Sequence, residues 1–261
     1  MRKIGGVMIY KRVAARLRAQ DWFAITIELT IVIVGVFIGT QVSNWNADRL
    51  QKRETQRMLA QLVPQFDFLE SYFNSARPYY RVTRGYADIA LRGWHNDPGL
   101  SDRDFVIAAY QASQVFVMGF NSSALSATMG VDRLKDIDDA ELRSHLSYLM
   151  FQDYSQIDLA AVDTPYRRNV RRIIPLAIQD KIRAGCGDTY PKSPLLAVLP
   201  SRCEIALSPK EAAQAVHLLR AHPDLMDDLQ WHTAAIVNFL ETINQLDQII
   251  KQVERQLPKD A

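Results

Sequence analysis

Residues 22–45 read WFAITIELTIVIVGVFIGTQVSNW, and this stretch decides the architecture of the chain. Between residues 23 and 42 the polar side chains are few: Thr26, Glu28, Thr30, Thr40 and Gln41. A helix of about 20 residues rises about 30 Å, which matches the hydrocarbon thickness of a bilayer. A tryptophan stands at each end, where amphipathic rings prefer the level of the lipid headgroups. The sequence therefore predicts one transmembrane helix over residues 22–45.

A cleaved signal peptide is the main alternative to a permanent anchor. The apolar region of such a peptide is about 7–15 residues long, and small residues follow it at positions −3 and −1 of the cleavage site. The apolar run here is longer. Cleavage after Ser43 would place Gln41 at −3, and cleavage after Ala47 would place Trp45 there. We therefore favour the anchor.

The orientation of the span follows from the lysines and arginines on its two sides. Six precede it: Arg2, Lys3, Lys11, Arg12, Arg16 and Arg18. Four follow it closely: Arg49, Lys52, Arg53 and Arg57. The side with more positive charge stays in the cytoplasm. We predict a single-pass protein of a bacterial inner membrane, with residues 1–21 as a basic cytoplasmic tail that contacts membrane lipid and residues 46–261 in the periplasm.

One face of the predicted span differs from the rest. At 100° per residue, Glu28, Gly35, Gly39 and Asn46 lie within about 40° of one another. The spacing of the two glycines lets helix backbones approach closely in lipid, and a carboxylate facing acyl chains costs several kcal/mol. Alternatively, Glu28 reaches the interface or stays protonated, and the glycines are ordinary for membrane helices. We favour an interface, either with a second copy of the chain or with another membrane protein.

The composition of the remaining chain indicates one helical domain. The whole chain has 31 Lys+Arg and 29 Asp+Glu, a balance that does not indicate nucleic acid as a partner. About 215 residues follow the span, enough for one domain with its own core. Apolar residues recur at helical spacing nearly throughout. The sequence predicts an all-α fold: the transmembrane helix, a kinked stalk, and a helical bundle that includes a long C-terminal coiled-coil-like helix.

Local signals place several helix boundaries. Pro64 lies inside a helical pattern over residues 48–75 and should kink or divide that helix, and Pro78 should break it again. Ser101 is a predicted N-cap of a helix that reaches about residue 115, and Asn121 opens a short one. Ser208 begins a capping box with proline at the next position.

The last predicted helix covers residues 225–257 and carries one apolar stripe. Its members alternate steps of four and three, which is the spacing of a coiled-coil or bundle seam. A histidine is its only polar member; it is either a pH-dependent element or a seam residue with a hydrogen-bond partner. The stripe consists of Leu225, Leu229, His232, Ile236, Phe239, Ile243, Leu246, Ile250, Val253 and Leu257.

The residues at the end of the predicted span resemble those of a known protein family. Gln41, Asn44, Trp45 and Asn46 resemble the end of the span in a family of uncharacterised bacterial single-span membrane proteins, which typically reads Gln-x-Asn-Asn-Trp-Asn-Glu. Residues 121–146 are similar to the middle region of that family. The sequence departs from the pattern at residues 43 and 47, where Asn and Glu are usual. The resemblance implies a domain of unknown function with this architecture and no assigned chemistry.

The two cysteines, Cys186 and Cys203, bracket a segment rich in glycine and proline. No CxxC pair or Cys/His quartet occurs, so the spacing does not favour a structural zinc site. In an exported domain the two cysteines are expected to form a disulfide worth about 3 kcal/mol. Two free buried thiols in a cytosolic domain are the alternative.

Four arginines crowd one short predicted helix: Arg167, Arg168, Arg171 and Arg172. Guanidinium groups one turn apart suit a carboxylate, a phosphate or a lipid headgroup, so the group is a possible anion-binding site. The alternative is a solvated face paired with acids such as Asp158 and Asp163.

Catalytic signatures do not occur in the sequence. None of the five histidines has metal-ligand spacing, and no nucleophile elbow, P-loop or dinucleotide-binding motif is present. We predict no catalytic residues, no metal and no cofactor. The expected function is a non-enzymatic membrane-anchored accessory or scaffold protein that associates with itself or with a membrane complex. The alternative is an extracytoplasmic sensor-type helical domain for a small anionic ligand, which is less favoured because no second span follows.

Overall fold

The computed structural model describes residues 22–117, 127, 130–152, 163–193 and 195–257. The predicted basic tail and Asn121 lie outside these residues. Within them the regular structure is helical, apart from one antiparallel bridge between Thr189 and Val198. The all-α prediction is therefore confirmed.

The connections between the described helices range from two residues to 22 residues. A 3₁₀ helix, Val131–Asp136, lies between the third and fourth α-helices. The α-helices with described bounds are α1 (Trp22–Ala60), α2 (Val63–Trp94), α3 (Asp102–Gln111), α4 (Ala140–Phe151), α5 (Pro165–Ile173), α6 (Leu176–Cys186), α7 (Pro209–Arg220) and α8 (Asp224–Gln256).

Helix α1 contains the apolar stretch, which is long and apolar enough to cross a membrane. The helix continues beyond the predicted limit of the span at residue 45, because neither glycine nor proline occurs between residues 46 and 63. Residues up to Glu54 and residues from Thr55 onward form separate compact units. Met58 and Leu59 are the first buried side chains of the second unit.

The two prolines predicted to interrupt this region behave differently. Pro64 lies in the first turn of α2, where the missing N–H would have had no helical partner, so the division of the helix is confirmed. The predicted break at Pro78 is wrong, because α2 runs through it to Trp94. A proline inside a helix costs about 3 kcal/mol. Burial of one whole face of α2 offsets that cost, since the helix carries buried side chains on both sides of Pro78.

The bundle is built around α2 and α8. Helix α8 packs on α2, α4 and α5, while α3 packs on α2 and α7. Every member of the predicted stripe of α8 is buried within the chain. The stripe is therefore the seam of an intramolecular bundle.

Helix N-termini follow the sequence signals. The Ser101 side chain accepts a hydrogen bond from the backbone N–H of Asp104 at 3.1 Å, although α3 ends at Gln111 and not near residue 115. The predicted capping box at α7 is confirmed, because Ser208 and Glu211 each bond the backbone N–H of the other. These caps satisfy donors that a helix leaves unpaired.

Candidate functional sites: the membrane helix and the arginine helix

The predicted membrane face of α1 lies open in the structure. Glu28, Gly35, Gly39 and Asn46 are all exposed, and a Cβ placed on either glycine would meet no atom within 4 Å. The Glu28 carboxyl has no hydrogen bond or ion pair with any described residue. The structure thus leaves this face available to another helix.

The threonines of the span do not need an external partner. Thr26 and Thr30 donate their hydroxyl protons to the carbonyls of Trp22 and Thr26, each at 2.7 Å, and Thr40 donates to Phe37 at 2.8 Å. A hydroxyl bonded to its own helix is satisfied without water. Glu28 therefore differs from the threonines of the apolar stretch in lacking such a bond.

Helix α5 positions the four arginines. Thr164 is its N-cap and Pro165 its first residue, a combination that fixes where the helix begins. Tyr166 and Val170 are buried on its inner face. The four arginines lie on either side of Tyr166 and Val170, so their side chains have different surroundings.

Arg171 is held in a polar network beneath the surface. Its Nε donates to Ser113 Oγ at 3.1 Å, its Nη2 donates to Gln114 Oε1 at 2.9 Å, and its guanidinium lies 5.1 Å from the centre of the Tyr110 ring. Burial lowers the pKa of Arg171, and the same arginine opposes the rise that burial causes in the pKa of Asp188. Much of the donor capacity of Arg171 is therefore already used inside the fold.

The other three arginines have separate environments. Arg168 lies 3.4 Å from the exposed carboxylate of Asp163, in agreement with one of the two acid partners considered from the sequence. Asp158 lies outside the described residues. Arg172 lines a surface groove together with Asp224 and Asp228. A negatively charged groove does not suit an anion.

Arg167 has a buried Nε with no hydrogen-bond partner among the described residues. Its guanidinium acts electrostatically on His232, in the seam of α8. The four arginines thus face different surroundings and do not share one binding site in the structure. Anion binding by the whole group stays a prediction.

His232 is a fully buried seam residue with a defined partner. Its Nδ1 lies 2.7 Å from the hydroxyl oxygen of Thr164, and the backbone of Ala112 also interacts with the buried ring. Because Thr164 Oγ1 already accepts a hydrogen bond from the N–H of Arg167, its hydroxyl proton can be donated to an unprotonated Nδ1. Burial, together with the positive charge of Arg167, lowers the pKa of His232 to about 4. The imidazole is therefore neutral in the fold.

We expect His232 to make the bundle less stable in acid. Its pKa is about 4 in the fold and about 6.5 in an unfolded chain, so between these values the unfolded chain binds the extra proton. The free energy of unfolding should fall by up to about 3 kcal/mol as pH drops from about 6.5 to 4. Urea unfolding of the chain and of His232→Gln, followed by tryptophan fluorescence, measures the difference. Equal pH dependence in both proteins would contradict the assignment.

Cys186 and Cys203 form a disulfide in the structure, with their Cα atoms 5.3 Å apart. Cys186 is buried at the end of α6, and its carbonyl accepts a hydrogen bond from the Gln111 side chain at 2.8 Å. Between the cysteines, Ala197 and Leu199 are buried in the core. The disulfide therefore closes a loop that packs on the bundle.

The polar network that surrounds Arg171 has no signal in the sequence. Gln111 is fully buried and accepts from Gln114 at 3.1 Å, while Gln179 donates to the carbonyls of Arg171 and Ile174. Arg183 donates to the Tyr110 hydroxyl at 3.0 Å. Glutamines on helices are ordinarily solvent-exposed, so their burial has no local sequence signal.

The described residues contain no group of three or more histidine, cysteine, aspartate or glutamate side chains that could hold a metal ion. Comparison with known proteins adds no identification. No family model, curated protein or solved structure matches this chain. The resemblance at the exit of the span therefore stays a prediction.

Proposed function

We propose that this chain is a non-enzymatic, membrane-anchored accessory or scaffold protein, and that its membrane helix associates with a second copy or with a helix of a membrane complex. One observation carries the proposal. Glu28, Gly35 and Gly39 share an open face of α1, and the Glu28 carboxyl has no partner among the described residues. In lipid, a second helix could supply that partner, since the glycines allow close approach.

We infer that residues 46–261 lie in the periplasm of a bacterial cell. The excess of lysine and arginine before the span supports this orientation. The paired cysteines support it as well, because disulfides persist in oxidising compartments. Thiol labelling in cells therefore tests the orientation.

Replacement of both Gly35 and Gly39 by leucine should abolish the association and leave insertion intact. Leucine adds bulk where a partner backbone would lie, while lipid accommodates it as readily as glycine. Glu28→Gln is a companion variant that keeps the hydrogen-bonding shape and removes the charge. Crosslinking in membranes, followed by mass spectrometry of the crosslinked species, measures dimer and partner together.

Leucine substitutions at Ile33 and Phe37 are the matched control. Both are exposed apolar positions of α1, four residues apart like the glycines, and at 100° per residue they lie on the side of the helix opposite the glycine face. They should leave crosslinking unchanged. If the glycine and Glu28 variants crosslink like the unmodified chain, α1 is only an anchor and the proposal fails.

Binding of a small anion through the arginines of α5 is the alternative function. It has less support, because Arg168 already faces Asp163 and Arg171 donates to Ser113 and Gln114.

A further inference from the structure

A groove of about 330 Å³ runs between α2 and α8. Its volume lies within the range of about 300–1,000 Å³ that is typical of small-molecule sites. Tyr80, Ile236, Val237 and Leu240 supply its apolar surface, and Val237 is 42% exposed. Tyr80 and Ile236 are buried at the base of the groove, while Val237 and Leu240 leave carbon surface open beside the seam.

The polar atoms at the base of this groove are already used by the fold. The Tyr80 hydroxyl accepts a hydrogen bond from the backbone N–H of Phe116 at 3.0 Å. The Thr233 hydroxyl donates to the Leu229 carbonyl at 2.8 Å. A ligand that enters the groove therefore meets hydrocarbon at the base, and its polar group must bind at the edge.

The edge formed by α2 is strongly positive. Arg77, Arg81 and Arg84 follow one another at steps of four and three, which places them along one side of the helix. Across the groove, α8 contributes the neutral Asn244 and Thr233 to the lining. The lining residues therefore include three cations and no acid.

The positive charges of these three arginines are neutralised by neighbouring groups to different degrees. Arg77 is fixed by Asp247 at 3.1 Å and by Asn244 at 3.0 Å. Arg84 lies 3.3 Å from the exposed carboxylate of Asp88. Arg81, between them, is exposed and has no hydrogen bond or ion pair with any described residue. The groove thus combines an apolar base with an uncompensated guanidinium at its edge.

We propose that the groove binds a fatty acid, with its hydrocarbon chain on Ile236, Val237 and Leu240 and its carboxylate on Arg81. A guanidinium presents paired N–H donors that match the two oxygens of a carboxylate. A folded protein partner would need about 800 Å² of surface on each side, which favours a small amphiphile for a groove of this size. The inference is independent of any association through α1.

The test uses the full chain in nanodiscs of zwitterionic lipid. A decanoic acid that carries a photoactivatable diazirine on its chain is crosslinked to the protein, and mass spectrometry identifies the labelled peptides. Label should concentrate in the α2 and α8 segments that line the groove. Unlabelled decanoic acid should remove it, whereas decanol should not, because decanol lacks the charge.

Two variants and a control make the result specific. Arg81→Gln should reduce labelling by about tenfold, since it removes a charge-assisted hydrogen bond. Val237→Trp should block the groove at an exposed position and also reduce labelling. Arg92→Gln, on the same helix but outside the groove lining, should have no effect. Circular dichroism checks that each variant is folded.

The proposal is overturned if decanol competes as well as decanoic acid, or if label is spread along the apolar part of α1. It is also overturned if Arg81→Gln and Arg92→Gln are labelled equally. Loss of the α1 interface through the glycine substitutions should leave groove labelling unchanged, so the two proposals fail separately.

Discussion

Replacement of Tyr166 by alanine is expected to lower the free energy of unfolding by about 4 kcal/mol. The side chain is fully buried, and its ring lies 6.4 Å from the ring of Trp94 and 5.7 Å from that of His232. Its hydroxyl donates to the carbonyl of Ala109 at 2.7 Å, near the end of α3, where helix carbonyls lack backbone partners. Alanine would remove packing between α5, α2 and α8 together with this hydrogen bond.

Two further variants separate packing from hydrogen bonding at this position. Tyr166→Phe keeps the ring but leaves the Ala109 carbonyl without this donor, so it should cost about 1–3 kcal/mol. Tyr148→Ala removes a side chain that is 47% exposed on α4 and should cost at most about 0.5 kcal/mol. Urea midpoints from tryptophan fluorescence of the full chain in detergent give all three values. A loss at Tyr166→Ala no larger than that at Tyr148→Ala would show that the core is packed differently.

Loss of the disulfide is expected to destabilise the bundle by about 3 kcal/mol, because the bond closes a loop of 17 residues. The segment between the cysteines should suffer first. It is held to α2 by the Tyr86 hydroxyl, which donates to the Pro200 carbonyl at 2.8 Å. In Cys186→Ser/Cys203→Ser this segment should become the preferred site of limited proteolysis, and a reductant should produce the same cleavage in the unmodified chain.

Thiol labelling in intact cells completes this test. If the domain is periplasmic, a membrane-permeant alkylating reagent should label neither cysteine until a reductant is added. Free labelling of both cysteines in untreated cells would instead place the domain in a reducing compartment. That result would contradict the inferred orientation. It would also mean that the disulfide does not stabilise the domain in the cell.

Local sequence signals predicted several features of the fold well. The apolar stretch of α1, the caps at Ser101 and Ser208, and the seam of α8 each arise from the chemistry of a few neighbouring residues. The division of the helix at Pro64 also follows from local chemistry, because a proline is well tolerated in the first turn of a helix.

The features that the sequence did not reveal depend on tertiary packing. Pro78 continues α2 because the buried face on both sides of it stabilises the helix, and no local pattern reports that contribution. The arginines of α5 share a short segment, yet Arg171 turns inward to Ser113 while Arg168 meets Asp163. The buried Gln111 side chain donates to the carbonyl of Cys186, which is 75 residues away in the sequence. Such contacts are set by how the helices meet.

The position of α8 in the chain also determines when the bundle can form. This helix comes after α2, α4 and α5 in the chain and covers them with a continuous seam. While the ribosome is still making the earlier helices, the apolar side chains that α8 will cover have no partner. Emerging chains with such surfaces bind chaperones or aggregate. We therefore expect the helices that α8 covers to depend on protection until α8 itself has been synthesised.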